Sequence, residues 1–242
     1  QLLPAYVGLQ LQQELHVLGG ILTSHERPFV VVLGGAKMSD KIGVIEHLLP
    51  RADWFLLGGG VANTFMKARG FPVGSSVYDP KLVPTAKRLL KNPKMVLPID
   101  FVRDEDMLRD LGPFSIDLFI EKLRGAKTIL WNGPLGVFED ARFAGASFAL
   151  ARAIAKSPAF TIVGGGETTH IIRKLKLQKK ISFMSTGGGA MLEYLAGKEL
   201  PGIAALKRAT SDKEKATREY SRHPERSEGS RSKFFTSCRM TK

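Results

Sequence analysis

Four short glycine clusters follow apolar runs in this chain: Gly34-Gly35 leading to Lys37, Gly58-Gly59-Gly60, Gly164-Gly165-Gly166 and Gly187-Gly188-Gly189. Glycine lets a backbone approach a ligand closely, and a helix starting just beyond such a turn aims unpaired amide hydrogens at an anion. One such turn is a common way to leave a strand. Four together describe a crevice floored by backbone, suited to a phosphorylated ligand. None has the spacing of a Walker loop or a dinucleotide fingerprint. Lys37 and Lys41 lie four residues apart and share a helical face if the helix begins near Ser39. Their ammonium groups can neutralise phosphate oxygens as point charges. The competing reading makes one of them a surface lysine paired with Asp40 or Glu46.

Two carboxylates stand out beside these turns. Glu167 directly follows the third glycine cluster, where a phosphate would repel it. Glu139 follows Asn132-Gly133-Pro134, a sharp turn at the end of an apolar strand, and the apolar pair Val137-Phe138. It can accept hydrogen bonds from a ribose, or it is a helix-start carboxylate favoured by the dipole. Trp131 and Trp54 read as core. His16, His25, His47 and His170 show no metal-ligand spacing, and no serine sits in a Gly-x-Ser-x-Gly elbow. The residues as read suit the binding of a phosphorylated ligand, and no triad or histidine cluster accompanies them.

The elements that must position these groups alternate. A helix over residues 5–22 is expected to end at Gly19-Gly20. Strands follow in "RPFVVVLGG", "ADWFLLGGG", "KMVLPIDF", "AKTILWNG", "AFTIVGGG" and "ISFMSTGGG". Helices are expected near 39–49, 61–68, 80–92, 114–123, 141–156, 168–175 and 189–196. Near-continuous apolar strands between helices predict an α/β fold, a three-layer open parallel sheet with helices on both faces. The glycine turns fall at strand carboxyl ends, where such sheets bind ligands. Residues 207–242 lack apolar periodicity and are expected to be a disordered basic tail.

The 242 residues carry a formal charge of +13, but the tail concentrates 11 Lys and Arg against 5 Asp and Glu. Elsewhere the basic residues are scattered, so nucleic acid is not expected as a partner. Cys238 is the single cysteine, which leaves no disulfide or thiolate cluster. No apolar run is long enough to span a bilayer and no signal pattern opens the chain, so no membrane is expected and the setting reads as cytoplasmic.

The long motifs "RPFVVVLGGAKMSDKIGVIEHLLPRAD", "LLGGGVANTF", "KTILWNGPLGVFE", "IVGGGETT" and "STGGGAMLEYLAGKELPGIAAL" closely resemble phosphoglycerate kinase. The resemblance covers residues 1–206 and is to the Rossmann-like C-terminal, nucleotide-binding half with its joining helix. It implies an interdomain helix remnant over 1–22, a nucleotide-binding domain over 23–206 and a tail foreign to the family over 207–242. It implies reversible phosphoryl transfer between 1,3-bisphosphoglycerate and ADP, with ATP or ADP and Mg²⁺ as cofactors, in a family usually monomeric. Lys41 resembles the lysine at the transferring phosphate, and Lys37 its neighbour. Gly187, Gly188 and Gly189 resemble the amides that receive the phosphoryl group. Gly59 and Gly60 would border adenine, Glu139 would hold the ribose, and Asn132 would lie beside the triphosphate. Gly165, Gly166 and Thr168 would surround the phosphates, with Glu167 as the metal ligand.

Three departures accompany the resemblance. The family usually has aspartate at the position of Glu167, one methylene shorter. Its segment between the strand at 95–101 and Gly112-Pro113 is longer and covers the adenine; here Leu108 or Leu111 is expected to substitute. The N-terminal half is expected to be missing, so 3-phosphoglycerate is a partner only if that half is supplied. The alternative is a non-catalytic Mg-nucleotide-binding module derived from the kinase.

Overall fold

A computed structural model describes residues 6–206. They belong to two units. Gln10–Lys198 form one. Of the described residues, 6–9 and 199–206 belong to the other, in which residues 201–206 are helical. The expected disordered tail lies outside the described residues.

In the larger unit the elements run α1 (Leu9–Thr23), β1 (Phe29–Leu33), α2 (Ser39–Leu48), β2 (Trp54–Leu57), α3 (Gly59–Ala68), α4 (Val83–Leu89), β3 (Met95–Val96), β4 (Phe101–Asp104), β5 (Met107–Leu111), α5 (Pro113–Leu123), β6 (Thr128–Asn132), α6 (Gly145–Lys156), β7 (Phe160–Gly164), α7 (Gly166–Lys174), β8 (Phe183–Met184) and α8 (Gly188–Leu195). Six strands form one sheet in the order β3-β2-β1-β6-β7-β8, every pairing parallel.

The apolar strands are what this sheet requires. All five residues of β1 and of β6 are buried, because parallel strands are covered on both faces. Successive side chains then enter different cores. Phe29, Val31 and Leu33 join the core built with α1, α2, α3, α4 and α8. Val30 and Val32 join the core of α5, α6 and α7. Trp131, also fully buried, anchors the second core, whereas Trp54 is partly exposed beneath the Lys122 ammonium, 4.1 Å from its ring centre.

Two local expectations are corrected. Gly19-Gly20 does not end α1, which continues to Thr23 and buries Leu18 and Ile21. A glycine inside a helix costs only about 1 kcal/mol, which packing outweighs. The segment after β3 is also an element in its own right: β4 and β5 form a two-stranded antiparallel hairpin with a bulge between Val102 and Arg103.

Candidate functional site

Strand order reverses between β1 and β6, and in open α/β sheets the crevice at such a reversal is where ligands bind. The loops leaving these strands are locked backbone to backbone. Gly34 N–H donates to the Asn132 carbonyl at 3.0 Å, Gly35 N–H to Pro134 at 2.7 Å, and Gly59 N–H to Leu135 at 2.9 Å. A methyl group at Gly34 would overlap the Pro134 carbonyl, and Gly133, with φ of 92°, would overlap the Gly34 carbonyl if it carried one. These two glycines serve close approach between loops. The turn is pinned further by buried Thr168, whose Oγ1 accepts the Gly133 N–H at 2.7 Å, and by Trp131 Nε1, which donates to the Gly133 carbonyl at 2.9 Å.

Two recesses open on this frame. One, of about 390 Å³, is lined by Lys37, Asp40, Lys41, Asn132, Gly133, Gly165, Gly166, Thr168, Gly188 and Gly189. The other, of about 190 Å³, is lined by Gly59, Gly60, Met107, Leu108, Arg109, Val137 and Glu139. Gly35, Ala36 and Glu167 line both, so the two are arms of one bent crevice. A larger cavity, of about 550 Å³, lies beside the opposite strand ends near Lys127, Thr128 and Phe160. It has no glycine turn or helix start to receive an anion, and size alone does not choose the site.

The larger arm has the character of a phosphate site. Lys41 is 8% exposed and forms no salt bridge among the described residues; Glu46 pairs with Arg88 instead. Burial pulls the Lys41 ammonium below the usual lysine range, and the nearby charges of Asp40 and Glu167 oppose that shift. An anion beside it would compensate the buried charge. Lys37 precedes α2 and is exposed, so the two lysines do not share a helical face as expected; they reach the arm from a loop and a helix. Asn132 Nδ2, at the wall of the same arm, is buried without a hydrogen-bond partner.

The fourth glycine cluster divides. Gly187 N–H already donates to Ser185 Oγ at 3.2 Å, and Gly187 does not line the arm. Gly188 and Gly189 do line it, and a methyl group at either would meet open space. They start α8, so their amides are the unpaired ones a helix start offers to an anion. Sequence reasoning missed the support behind them. Buried Glu14 on α1 accepts Ser185 Oγ at 2.8 Å, Thr186 N–H at 2.6 Å and Thr186 Oγ1 at 3.0 Å. No pattern in the sequence links two segments so far apart.

The smaller arm is more apolar. Glu139 is exposed on its wall, in the loop before the short helical turn Ala141–Phe143, and so does not start a longer helix. Leu108 lines the arm, but Leu111 is buried in the second core and does not. Arg109 lines it too, which the sequence reading did not anticipate. His170 is exposed beside Phe138, with ring centres 6.0 Å apart.

Among the described residues no three His, Cys, Asp or Glu side chains converge as a metal cage. Mg²⁺ is ordinarily held by one or two carboxylates together with water and substrate phosphates. Glu167, an exposed carboxylate where the two arms join, fits that use. No helix among the described residues is long and apolar enough to cross a membrane.

Known proteins resemble this chain in sequence and fold. A family model described as phosphoglycerate kinase matches residues 1–198. The phosphoglycerate kinase of Pelotomaculum thermopropionicum is 44% identical over 228 residues, covering 84% of this chain and 58% of the relative. That of Rubrobacter xylanophilus is 46% identical over 225 residues, covering 84% and 57%. Among solved structures, phosphoglycerate kinase from Coxiella burnetii superposes with a TM-score of 0.76 at 37% identity, covering 82% of this chain and 58% of that one. The Pyrococcus horikoshii enzyme gives 0.77 at 33%, covering 86% and 58%. The chain thus spans a little over half the length of the relatives it matches.

Proposed function

From the premise that the chain belongs to the phosphoglycerate kinase family, we propose that it is the nucleotide-binding part of such an enzyme. The reaction is reversible phosphoryl transfer between 1,3-bisphosphoglycerate and ADP. The observation that carries this reading is the convergence of buried, unpaired Lys41 with the open helix start at Gly188 and Gly189 in one recess.

The nucleoside lies in the smaller arm, with Glu139 accepting from the ribose and Gly59 and Gly60 bordering the base. The phosphates run past Glu167 into the larger arm. There Lys37, Asn132, Gly165 and Gly166 surround them, while Thr168 acts by pinning the Gly133 turn. Bound Mg²⁺, held by Glu167 and phosphate oxygens, would neutralise charge on the nucleotide. The transferred group leaves the acyl oxygen of the donor and bonds to a terminal oxygen of ADP. Lys41 and the amides of Gly188 and Gly189 stabilise the charge spread over its three equatorial oxygens. Alignment and positive charge suffice, so no protein nucleophile is called on. Gly187 contributes by holding the loop through Ser185.

The 3-phosphoglycerate pocket is assigned to the part of the relatives that this chain does not span. A coupled assay of ATP formation, run with and without the separately expressed N-terminal half of a relative, tests the proposal. Activity only on mixing supports it. Tight Mg-ADP binding without activity in any mixture supports the non-catalytic nucleotide-binding module instead.

A further inference from the structure

We propose that Arg109 contacts the nucleobase and determines how tightly this chain holds a nucleoside. The inference rests on the nucleotide reading above and goes beyond it. The β4–β5 hairpin is docked beside the crevice by a hydrogen bond from Val137 N–H to the Arg109 carbonyl, 2.9 Å. Along β5, Leu108 and Asp110 are buried while Met107 and Arg109 stay partly exposed, the alternation of a strand with two faces. Both Met107 and Arg109 line the smaller arm.

One nitrogen of the Arg109 guanidinium lacks a hydrogen-bond partner there, and the charges near it are Asp104 and Asp140. This is Nε, which is buried and has no hydrogen-bond partner among the described residues. Its salt-bridge partner, Asp104, is 3.7 Å away, beyond hydrogen-bond reach, and the side chain is about one-third exposed. Phosphates have their own cations, Lys37 and Lys41, in the other arm, which Arg109 does not line. The same arm is lined by Met107, Leu108, Pro134 and Val137, and by Glu139, which the reading above gives to the ribose. The complement to a flat cation among apolar groups is a flat, π-rich ligand with acceptor atoms at its edge. A purine base meets that description, because a guanidinium stacks on aromatic faces and donates to ring acceptors.

Calorimetric titration of wild type, Arg109→Leu and Arg109→Lys with Mg-ADP and with magnesium tripolyphosphate tests this. Arg109→Leu is expected to weaken Mg-ADP about 2- to 30-fold, the range of a cation over an aromatic face, and to leave tripolyphosphate unchanged. Arg109→Lys falls between, because lysine keeps the charge and lacks the plane. Far-UV circular dichroism shows whether each variant is folded; if the leucine variant is not, the lysine variant decides by its loss of Mg-ADP affinity alone. Unchanged Mg-ADP affinity in the folded variants overturns the inference, as does an equal loss for tripolyphosphate, which would make Arg109 a phosphate ligand. Binding of neither ligand by wild type overturns the nucleotide reading itself, a distinguishable result.

Discussion

Glu14 on α1 accepts a hydrogen bond from the Ser185 hydroxyl at 2.8 Å although 171 positions separate the two residues. Ser185 Oγ in turn accepts the Gly187 N–H, so a carboxylate on a helix far away in sequence holds the glycine loop at the start of α8. Glu14→Ala leaves a buried hydroxyl and the Thr186 amide without their acceptor. The expected loss is about 1–3 kcal/mol of stability by urea denaturation, with faster hydrogen exchange at Thr186 and Gly187. Unchanged exchange at those amides would contradict the positioning role.

Gly34 and Gly189 have the same residue type and opposite surroundings, one crowded by backbone and one open. Gly34→Ala places a methyl group against the Pro134 carbonyl and is expected to cost about 1–3 kcal/mol. Gly189→Ala puts it into open space at the first turn of α8, where alanine is the better helix former by about 1 kcal/mol. Stability should hold or rise while tripolyphosphate binding weakens. Thermal unfolding and titration of both variants separate the roles, and comparable destabilisation by the two would show the division to be wrong.

Asp110 supplies a pH signature. On β5 it is 3% exposed and faces the start of α6, where Oδ2 accepts the Ala146 N–H at 3.0 Å, while Oδ1 has no partner among the described residues. Burial pushes its carboxyl up to about 6, more than the backbone hydrogen bonds lower it. The native state therefore binds this proton more tightly than the unfolded chain. Stability falls as pH rises from about 4 to about 6, and the deficit is fully present above that window. Asp110→Asn is expected to be more stable than wild type by about 1–3 kcal/mol at pH 7.5, the gain shrinking toward pH 4. Urea midpoints across that range check it; a pH-independent difference would rule out the carboxylate as the cause.

The parallel sheet was legible because β1 and β6 are apolar throughout, as strands covered on both faces must be. The glycine turns were legible for a similar reason: their chemistry is carried by the backbone and marked by residue type. The β4–β5 hairpin was not, since Arg103, Asp104, Glu105 and Asp106 look like a solvated loop and Glu105 turns it with φ of 54°. Its docking depends on Val137, a contact no local pattern encodes. The burial of Lys41 and Glu14 is likewise tertiary, fixed by the elements that close over them. The helix start near Ser39 was legible, but it leaves Lys37 outside α2, so the helical face expected to carry both Lys37 and Lys41 carries only Lys41.

Glu167 bears on the metal. If it holds Mg²⁺ on a nucleotide, ADP should bind more tightly with magnesium than without, and Glu167→Gln should remove that gain. Glu167→Asp should keep the affinity and speed transfer in the mixture with the complementary half, because the shorter carboxylate sits differently against an ion that demands near-octahedral geometry. Equal rates for wild type and Glu167→Asp would sink this account of the extra methylene.

We propose above all that the bent crevice binds a magnesium nucleotide with Lys41 on its phosphates. The most direct test is calorimetric titration of the whole chain with Mg-ADP, alongside Lys41→Met, which keeps the buried stem and removes the charge. Saturable one-to-one binding by wild type is expected, with a loss of about 10- to 100-fold in the variant, the scale of a hydrogen bond to a charged group. Folded wild-type protein that binds no Mg-ADP at millimolar nucleotide, or a Lys41→Met variant that binds it equally well, would contradict that proposal.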